Sequence, residues 1–264
     1  AALSATGQKI YHKGFEPLVK GFHFFEYNNI NSFKELFYKL EENGPQVAAV
    51  LIEPLQAEGG IFPGNKDFFK NLKDICLKNK VLLIFDEVQT GIGRTGKWWG
   101  YQNLDIEPDA FTLAKGLGGG HAIGALLVRH HADIFKPGDH ATTFGGNPFA
   151  CKAAIIVIEE IRKRNLIQNV KIRSSQLQQG LNNIVNLFPN YLIQTRGTGL
   201  IQGLVIKDES NLTSNDFIRF ALDQRLLLIP AGPKVIRVVP ALTINETEIN
   251  EILKRIKKTF SNLV

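Results

Sequence analysis

Two stretches hold residue types that could do chemistry on a bound small molecule. The first, Leu82-Leu83-Ile84-Phe85-Asp86-Glu87-Val88-Gln89-Thr90-Gly91-Ile92-Gly93-Arg94-Thr95-Gly96-Lys97, runs from an apolar segment into two acids and a glycine-rich turn. In open α/β sheets ligands bind beyond the carboxyl ends of the strands, which puts Asp86 where a ligand would sit. The plainer role for such an acid is a turn or a helix cap. The second stretch, Phe111-Thr112-Leu113-Ala114-Lys115-Gly116-Leu117-Gly118-Gly119-Gly120, ends a short apolar segment at Lys115 and passes into a run rich in glycine. Most lysines are surface charges. One set between an apolar strand and glycines is a candidate for a desolvated amine, the neutral nucleophile that Schiff-base chemistry requires. An acid held opposite it is what a pyridinium nitrogen requires.

Two other patterns fit the first stretch on paper. Gly91–Lys97 satisfies G-x-x-x-x-G-K, but Trp98 stands where a Ser or Thr would hold magnesium. The apolar strand ending in Asp86-Glu87 resembles the acidic strand of an ATPase, yet it precedes the supposed phosphate loop instead of lying well downstream. Gly91, Gly93 and Gly96 also spell G-x-G-x-x-G, although the segment from Asp86 to Thr90 separates the first glycine from the strand end. A nucleotide-binding protein is thus the alternative reading, and its affinity would be indifferent to Lys115.

These residues need a sheet to position them. Residues 47–52 are all apolar, which predicts a strand buried on both faces. A helix over 32–42 precedes it, closed by the breaker Asn43-Gly44-Pro45. A second helix over 66–79 sets Phe68, Phe69, Leu72, Ile75 and Cys76 at helical spacing. Segments 81–85, 111–114 and 123–128 read as further strands, the first of them buried. Strand, helix, strand is the rhythm of a mostly parallel sheet with helices on both faces. From Pro148 a long helix and a second amphipathic stretch to about 188 lead into shorter elements at 191–195, 199–206, 215–225, 226–229 and 235–239, with a closing helix over 246–262. The first thirty residues read as irregular or edge structure.

With these motifs assembled, the chain resembles the class III, ornithine-type aminotransferases that use pyridoxal 5′-phosphate (PLP), and among them those acting on acetylornithine. The resemblance rests on Ile52-Glu53-Pro54-Leu55-Gln56-Ala57-Glu58-Gly59-Gly60, the stretch from Asp86 to Gly96, Leu113–Gly120, Thr142-Thr143-Phe144-Gly145-Gly146-Asn147-Pro148 and Val235-Ile236-Arg237-Val238-Val239-Pro240, in order and from end to end. It implies an α/β PLP-dependent transferase of fold type I, with a mostly parallel sheet in a large domain (1–168, including the linking helix) and a smaller C-terminal α/β domain (169–264). Lys115 would bind the cofactor covalently and carry the proton. Asp86 would pair with the ring nitrogen, Gln89 with the phenolic oxygen, and Thr143 with the phosphate of the neighbouring subunit, so that a homodimer is implied. Arg237 would hold a substrate carboxylate, exchanging partners with Glu58, and Thr142 belongs with the substrate contacts. Glu53 and His121 read as structural. The implied reaction moves the terminal amino group of N2-acetyl-L-ornithine to 2-oxoglutarate, giving N-acetyl-L-glutamate 5-semialdehyde and L-glutamate in arginine biosynthesis. Ornithine, succinylornithine and 4-aminobutyrate enzymes share that mechanism.

Composition agrees with a globular protein. The 264 residues are 44% hydrophobic and 21% charged, and no apolar run approaches a bilayer span. Two cysteines, Cys76 and Cys151, make neither a disulfide framework nor a zinc site, which suits the cytoplasm. The net charge of +6 is concentrated in the last third on helix faces such as Arg162-Lys163-Arg164, so no nucleic-acid partner is expected. No methionine occurs, and Ala1-Ala2-Leu3-Ser4 matches a segment well inside the family's large domain. A fragment is therefore expected, with the phosphate-cradling loop and the ring-stacking aromatic lying upstream. Exposed sheet edges and core surface, and with them poor solubility, are further expectations; an inert remnant or dimerising module that keeps the fold without the cofactor is the non-enzymatic alternative.

Overall fold

The structure is a computed structural model that describes residues 1–44 and 46–263; Pro45 of the expected breaker lies outside the described residues. In chain order it contains α1 (Ile30–Asn43), β1 (Ala49–Ile52), β2 (Leu55–Gln56), β3 (Phe62–Pro63), α2 (Lys66–Lys78), β4 (Leu82–Asp86), β5 (Ala110–Leu113) and β6 (Ala125–Val128). Next come α3 (Pro148–Lys163), α4 (Leu166–Leu187), β7 (Leu192–Thr198), β8 (Ile201–Ile206), α5 (Ser214–Asp223), β9 (Ile229–Pro230), β10 (Val235–Val238) and α6 (Glu246–Ser261). The residues before α1 are irregular apart from short 3-10 turns at Leu3–Ala5 and Lys9–Tyr11.

Two sheets organise these elements. The first has the order β1-β4-β5-β6, with β1, β4 and β5 parallel and β6 antiparallel. The second, β7-β8-β10-β9, is antiparallel throughout. Parallel neighbours need a crossover, and α2 supplies the one between β1 and β4. Asn65 caps it by accepting from the Phe68 amide at 3.0 Å, and Phe68, Phe69, Leu72 and Cys76 turn inward onto the sheet. That first core also takes Phe33 and Phe37 from α1 and Leu83 and Phe85 from β4. The second core joins α4, α5 and α6 to the second sheet through Leu177, Leu181, Leu204, Phe217, Ile236 and Phe260. Position 168, the expected boundary, falls within the first turn of α4.

Two strand expectations need correction. β1 is not buried on both faces: Val50 and Ile52 are buried, but Leu51 is 47% exposed. The strand lies at the edge of the described sheet, and only one of its faces is covered by the aromatic core. β4 alternates in the same way, with Leu83 and Phe85 fully buried and Leu82 and Ile84 half-buried. Of segment 226–229 only Ile229 pairs, because Leu226 turns into the core while Leu227 is exposed. Large apolar side chains at Phe22, Phe24, Ile134, Phe135, Phe144 and Phe149 are also exposed.

Candidate active site

Strand register assembles the centre of the site. Ile52 on β1 pairs with Phe85 on β4, and Asp86 pairs with Thr112 on β5. Asp86 therefore ends its strand at the edge where open parallel sheets bind ligands. Its Oδ1 accepts from the Val88 amide at 2.9 Å and from the Thr112 hydroxyl at 3.3 Å. Both bonds fall on Oδ1 and leave Oδ2 without a hydrogen bond among the described residues. Thr112 was legible only as a polar residue inside an apolar strand.

Glu87, the second acid, points the opposite way and is buried. It accepts from the Thr90 hydroxyl at 2.5 Å and from the amides of Gly100 and Tyr101 at 2.8 and 2.7 Å. Burial pushes its carboxyl above the ordinary range while these three bonds pull it back. It thus ties the loop after β4 to the 3-10 turn at Gly100–Asn103. Gly91 lets that loop lie flat, since a Cβ there would stand 2.7 Å from the Leu113 side chain and 2.9 Å from the Glu87 carbonyl.

Lys115 begins a 3-10 turn directly after β5, with φ of 45°. A lysine in the left-handed region is a strained backbone held by its surroundings. The expectation of a desolvated amine is not met, because Lys115 is exposed. Glycines 116, 118, 119 and 120 put no side chain over it, and it lines two open cavities. One of about 620 Å³ runs along His121, Phe144 and Asn147; the other, about 400 Å³, reaches Gln89, Arg94, Val157 and Leu242. His121 packs edge-on against Phe149.

The second sheet brings in a cation. Arg237 on β10 is buried and donates from Nη1 to Glu58 Oε2 at 2.9 Å and to Gln89 Oε1 at 3.2 Å. Gln89 Nε2 reaches Glu58 Oε2 at 3.5 Å, closing a triangle from three separate passages of the chain. Gln89 is therefore engaged with the Glu58–Arg237 pair in this structure. The Arg237 Nε is buried with no hydrogen-bond partner among the described residues. Thr142 accepts from the Gly145 amide at 3.2 Å in an exposed turn, and Thr143 is exposed beside it. Neither lines the Lys115 cavities, so this chain does not bring them to the group.

Two residues matter here that motif reading passed over or left structural. Arg94 donates from Nη1 to the carbonyls of Leu200 at 3.1 Å and Pro240 at 2.5 Å, while its own carbonyl accepts from the Leu200 amide at 3.0 Å. Burial lowers its pKa to about 10. It fastens the Asp86 loop to the segment just after Arg237, a tertiary role that no local spacing announces. Glu53 follows β1 directly, its Oε2 accepting from the Ala57 amide at 3.1 Å.

An acid at the end of a parallel strand, a lysine on a glycine turn and a buried arginine paired with a glutamate are the chemical groups of this site. The model of the family Aminotransferase class-III matches residues 1–260, and the chain belongs to that family. It is 59% identical over 262 residues to an acetylornithine aminotransferase of Prochlorococcus marinus (strain MIT 9313), covering 99% of this chain and 63% of that protein. It is 49% identical to the acetylornithine aminotransferase of a Nostoc species, covering 62% of the relative. The chain thus spans less than two thirds of the length of these curated relatives. Among solved structures, the ornithine aminotransferase of Toxoplasma gondii ME49 superposes with a TM-score of 0.91 at 28% identity, over 99% of this chain and 61% of that one. The N-acetylornithine aminotransferase of Stenotrophomonas maltophilia K279a gives 0.82 at 32%, over 93% and 64%. The fold is the α/β, mostly parallel fold type I of the PLP-dependent transferases.

Proposed function

We propose that the protein of which these residues are the described part is a PLP-dependent aminotransferase that moves the terminal amino group of N2-acetyl-L-ornithine to 2-oxoglutarate, as a cytoplasmic homodimer. The observation that carries this reading is the Glu58–Gln89–Arg237 triangle, whose Gln89 lines one cavity with Lys115 and stands three residues after Asp86 at the end of β4. The residues fit the cofactor: Asp86 offers to a ring nitrogen an Oδ2 with no hydrogen bond, and Lys115 offers an amine with no ion pair or hydrogen bond, among the described residues. When bound, PLP supplies an electron sink that makes a carbon-bound proton of the substrate acidic. Asp86 would pair with the ring nitrogen, and Thr112 and the Val88 amide hold its side chain in place for that contact. Lys115 Nζ takes up and returns the substrate proton. Thr143 and the exposed apolar residues around it support a second subunit. Among the described residues no helix is long and apolar enough to cross a membrane. The domain boundary near 168 is part of the same reading.

Arg237 offers a bidentate fork to a carboxylate. Acetylornithine presents its terminal amine without a carboxylate beside it, so Glu58 neutralises the arginine in that half-reaction; glutamate displaces Glu58 with its own carboxylate. Glu58→Ala is accordingly expected to slow the acetylornithine half-reaction roughly tenfold relative to the glutamate one, the scale of one charged hydrogen bond. Single-turnover rates with each donor measure the ratio, and equal losses would refute the exchange.

The direct test of the whole reading is incubation with PLP, borohydride reduction and peptide mass mapping. Label concentrated on Lys115 is the expected result. Label spread over surface lysines, with nucleotide binding unaffected by changes at Lys115, would favour the nucleotide-binding alternative.

A further inference from the structure

The first sheet sets two acids side by side where amine transfer has use for one negative charge. Ile52 pairs with Phe85, so Glu53, one step beyond, comes level with Asp86, which in turn pairs with Thr112. Ile52 and Phe85 are buried in the first core. Successive side chains on a strand alternate, which turns Asp86 to the other face, and Glu53, directly after β1, is near enough to feel its charge. Like charges directly opposite on neighbouring strands destabilise a sheet, and two adjacent carboxylates resist double ionisation.

The two acids are held differently. Asp86 collects the Val88 amide and the Thr112 hydroxyl on one oxygen, an arrangement suited to a carboxylate. Glu53 has the single Ala57 amide on Oε2, which the carbonyl oxygen of a neutral carboxyl accepts equally well. The Tyr27 hydroxyl donates to the Glu53 main-chain carbonyl at 2.9 Å, closing the site from the segment before α1. The charged groups facing Glu53 are Asp86 at the end of β4, Lys115 after β5, and Glu58 in the loop after β2. Burial, reinforced by Asp86 and Glu58, pushes the Glu53 carboxyl up to about 7, against the Ala57 amide and Lys115, which draw it down.

We propose that Glu53 and Asp86 form a carboxyl pair carrying one proton, held by Glu53, so that Asp86 alone is charged until a cation docks against it. Glu53 then loses its proton to solvent, and the pair presents two negative charges to that cation. Glu53 acts through Asp86 and is a positioning residue. The inference rests on the aminotransferase reading only for the identity of the cation, a protonated pyridine nitrogen.

Thermal melts across pH, without PLP, test the pair. A carboxyl whose folded-state value is raised contributes fully below its ordinary value of 4.5, and its contribution is lost as pH rises through about 7. Glu53→Gln keeps an oxygen for the Ala57 amide and cannot ionise. It is expected to melt close to the wild type at pH about 5 and several degrees above it at pH about 8.5. The buried acids Glu87 and Asp109 are present in both proteins, so their contributions cancel. In an Asp86→Asn background the difference shrinks and its midpoint moves to lower pH. An offset independent of pH, or a step that Asp86→Asn leaves in place, overturns the pair. Where Glu53→Gln does not fold, the infrared band of protonated carboxyl in wild type and Asp86→Asn carries the same comparison.

Saturating PLP is expected to move the wild-type step to lower pH and leave Glu53→Gln without one. PLP that raises the melting temperature but leaves the step in place overturns the proton release. A step that depends on Asp86 in a protein that binds no PLP would sustain the pair and refute the functional reading instead.

Discussion

Lys115→Ala is expected to lower the rate of amine transfer by on the order of 10⁴-fold while leaving the fold intact, since in the proposed reaction one amine serves as both nucleophile and proton carrier. The fold should tolerate the change, because the Lys115 side chain is exposed and makes no hydrogen bond or ion pair among the described residues. Stability is expected to stay within about 0.5 kcal/mol of the wild type, the range of surface substitutions. Alanine meets the same left-handed φ of 45° that lysine does, so no new backbone strain enters. Single-turnover assays beside urea denaturation separate the two effects. A small primary amine added to the variant should restore part of the rate by standing in for Nζ. Retention of a tenth or more of the wild-type rate without added amine would remove Lys115 from the chemistry.

Arg94→Met is expected to act on stability instead, costing about 2–4 kcal/mol because two carbonyls lose a charged donor in a place with little water. The Leu200 amide keeps its bond to the residue-94 carbonyl, so the loop remains attached by its backbone. The loss falls on the grip at Pro240, three residues beyond Arg237. A rise in KM for glutamate with a smaller change in kcat is therefore expected. Arg94→Lys, with one ammonium for two carbonyls, should fall between. Urea unfolding within about 0.5 kcal/mol of the wild type would show that the bridge carries no energy.

How far these parts could be read in advance depended on whether a residue's role is local. Asp86 and Lys115 stand at the ends of apolar strands, and a strand end in a parallel sheet is visible as a break in an apolar run. Helices α2, α3 and α6 were equally plain, because caps at Asn65, Asn147 and Asn245 adjoin amphipathic periodicity. The Glu58–Arg237 contact came from family resemblance and not from spacing, since nothing along the chain joins a loop near β2 to a strand of the second sheet. Thr112, Glu53 and Arg94 gain their importance from register and tertiary approach. The double burial expected of β1 failed for a related reason: an apolar run shows what could be covered, whereas Leu51 shows what the described chain covers.

The row formed by Glu53, Asp86 and Thr112 also bears on how the molecule assembles. Asp86 and Thr112 are 26 positions apart, and Arg237 joins Gln89 across 148. Contacts of such separation form late, because loop closure must precede the pairing that offsets its entropy. A collapsed intermediate with its helices formed and its strands unpaired would contain every residue of the site and no site. Cofactor capture during refolding should lag the far-ultraviolet helical signal, and a ligand that binds only the finished sheet would draw the population toward it by mass action. The time at which PLP is first taken up thus reads out the closing of the parallel sheet.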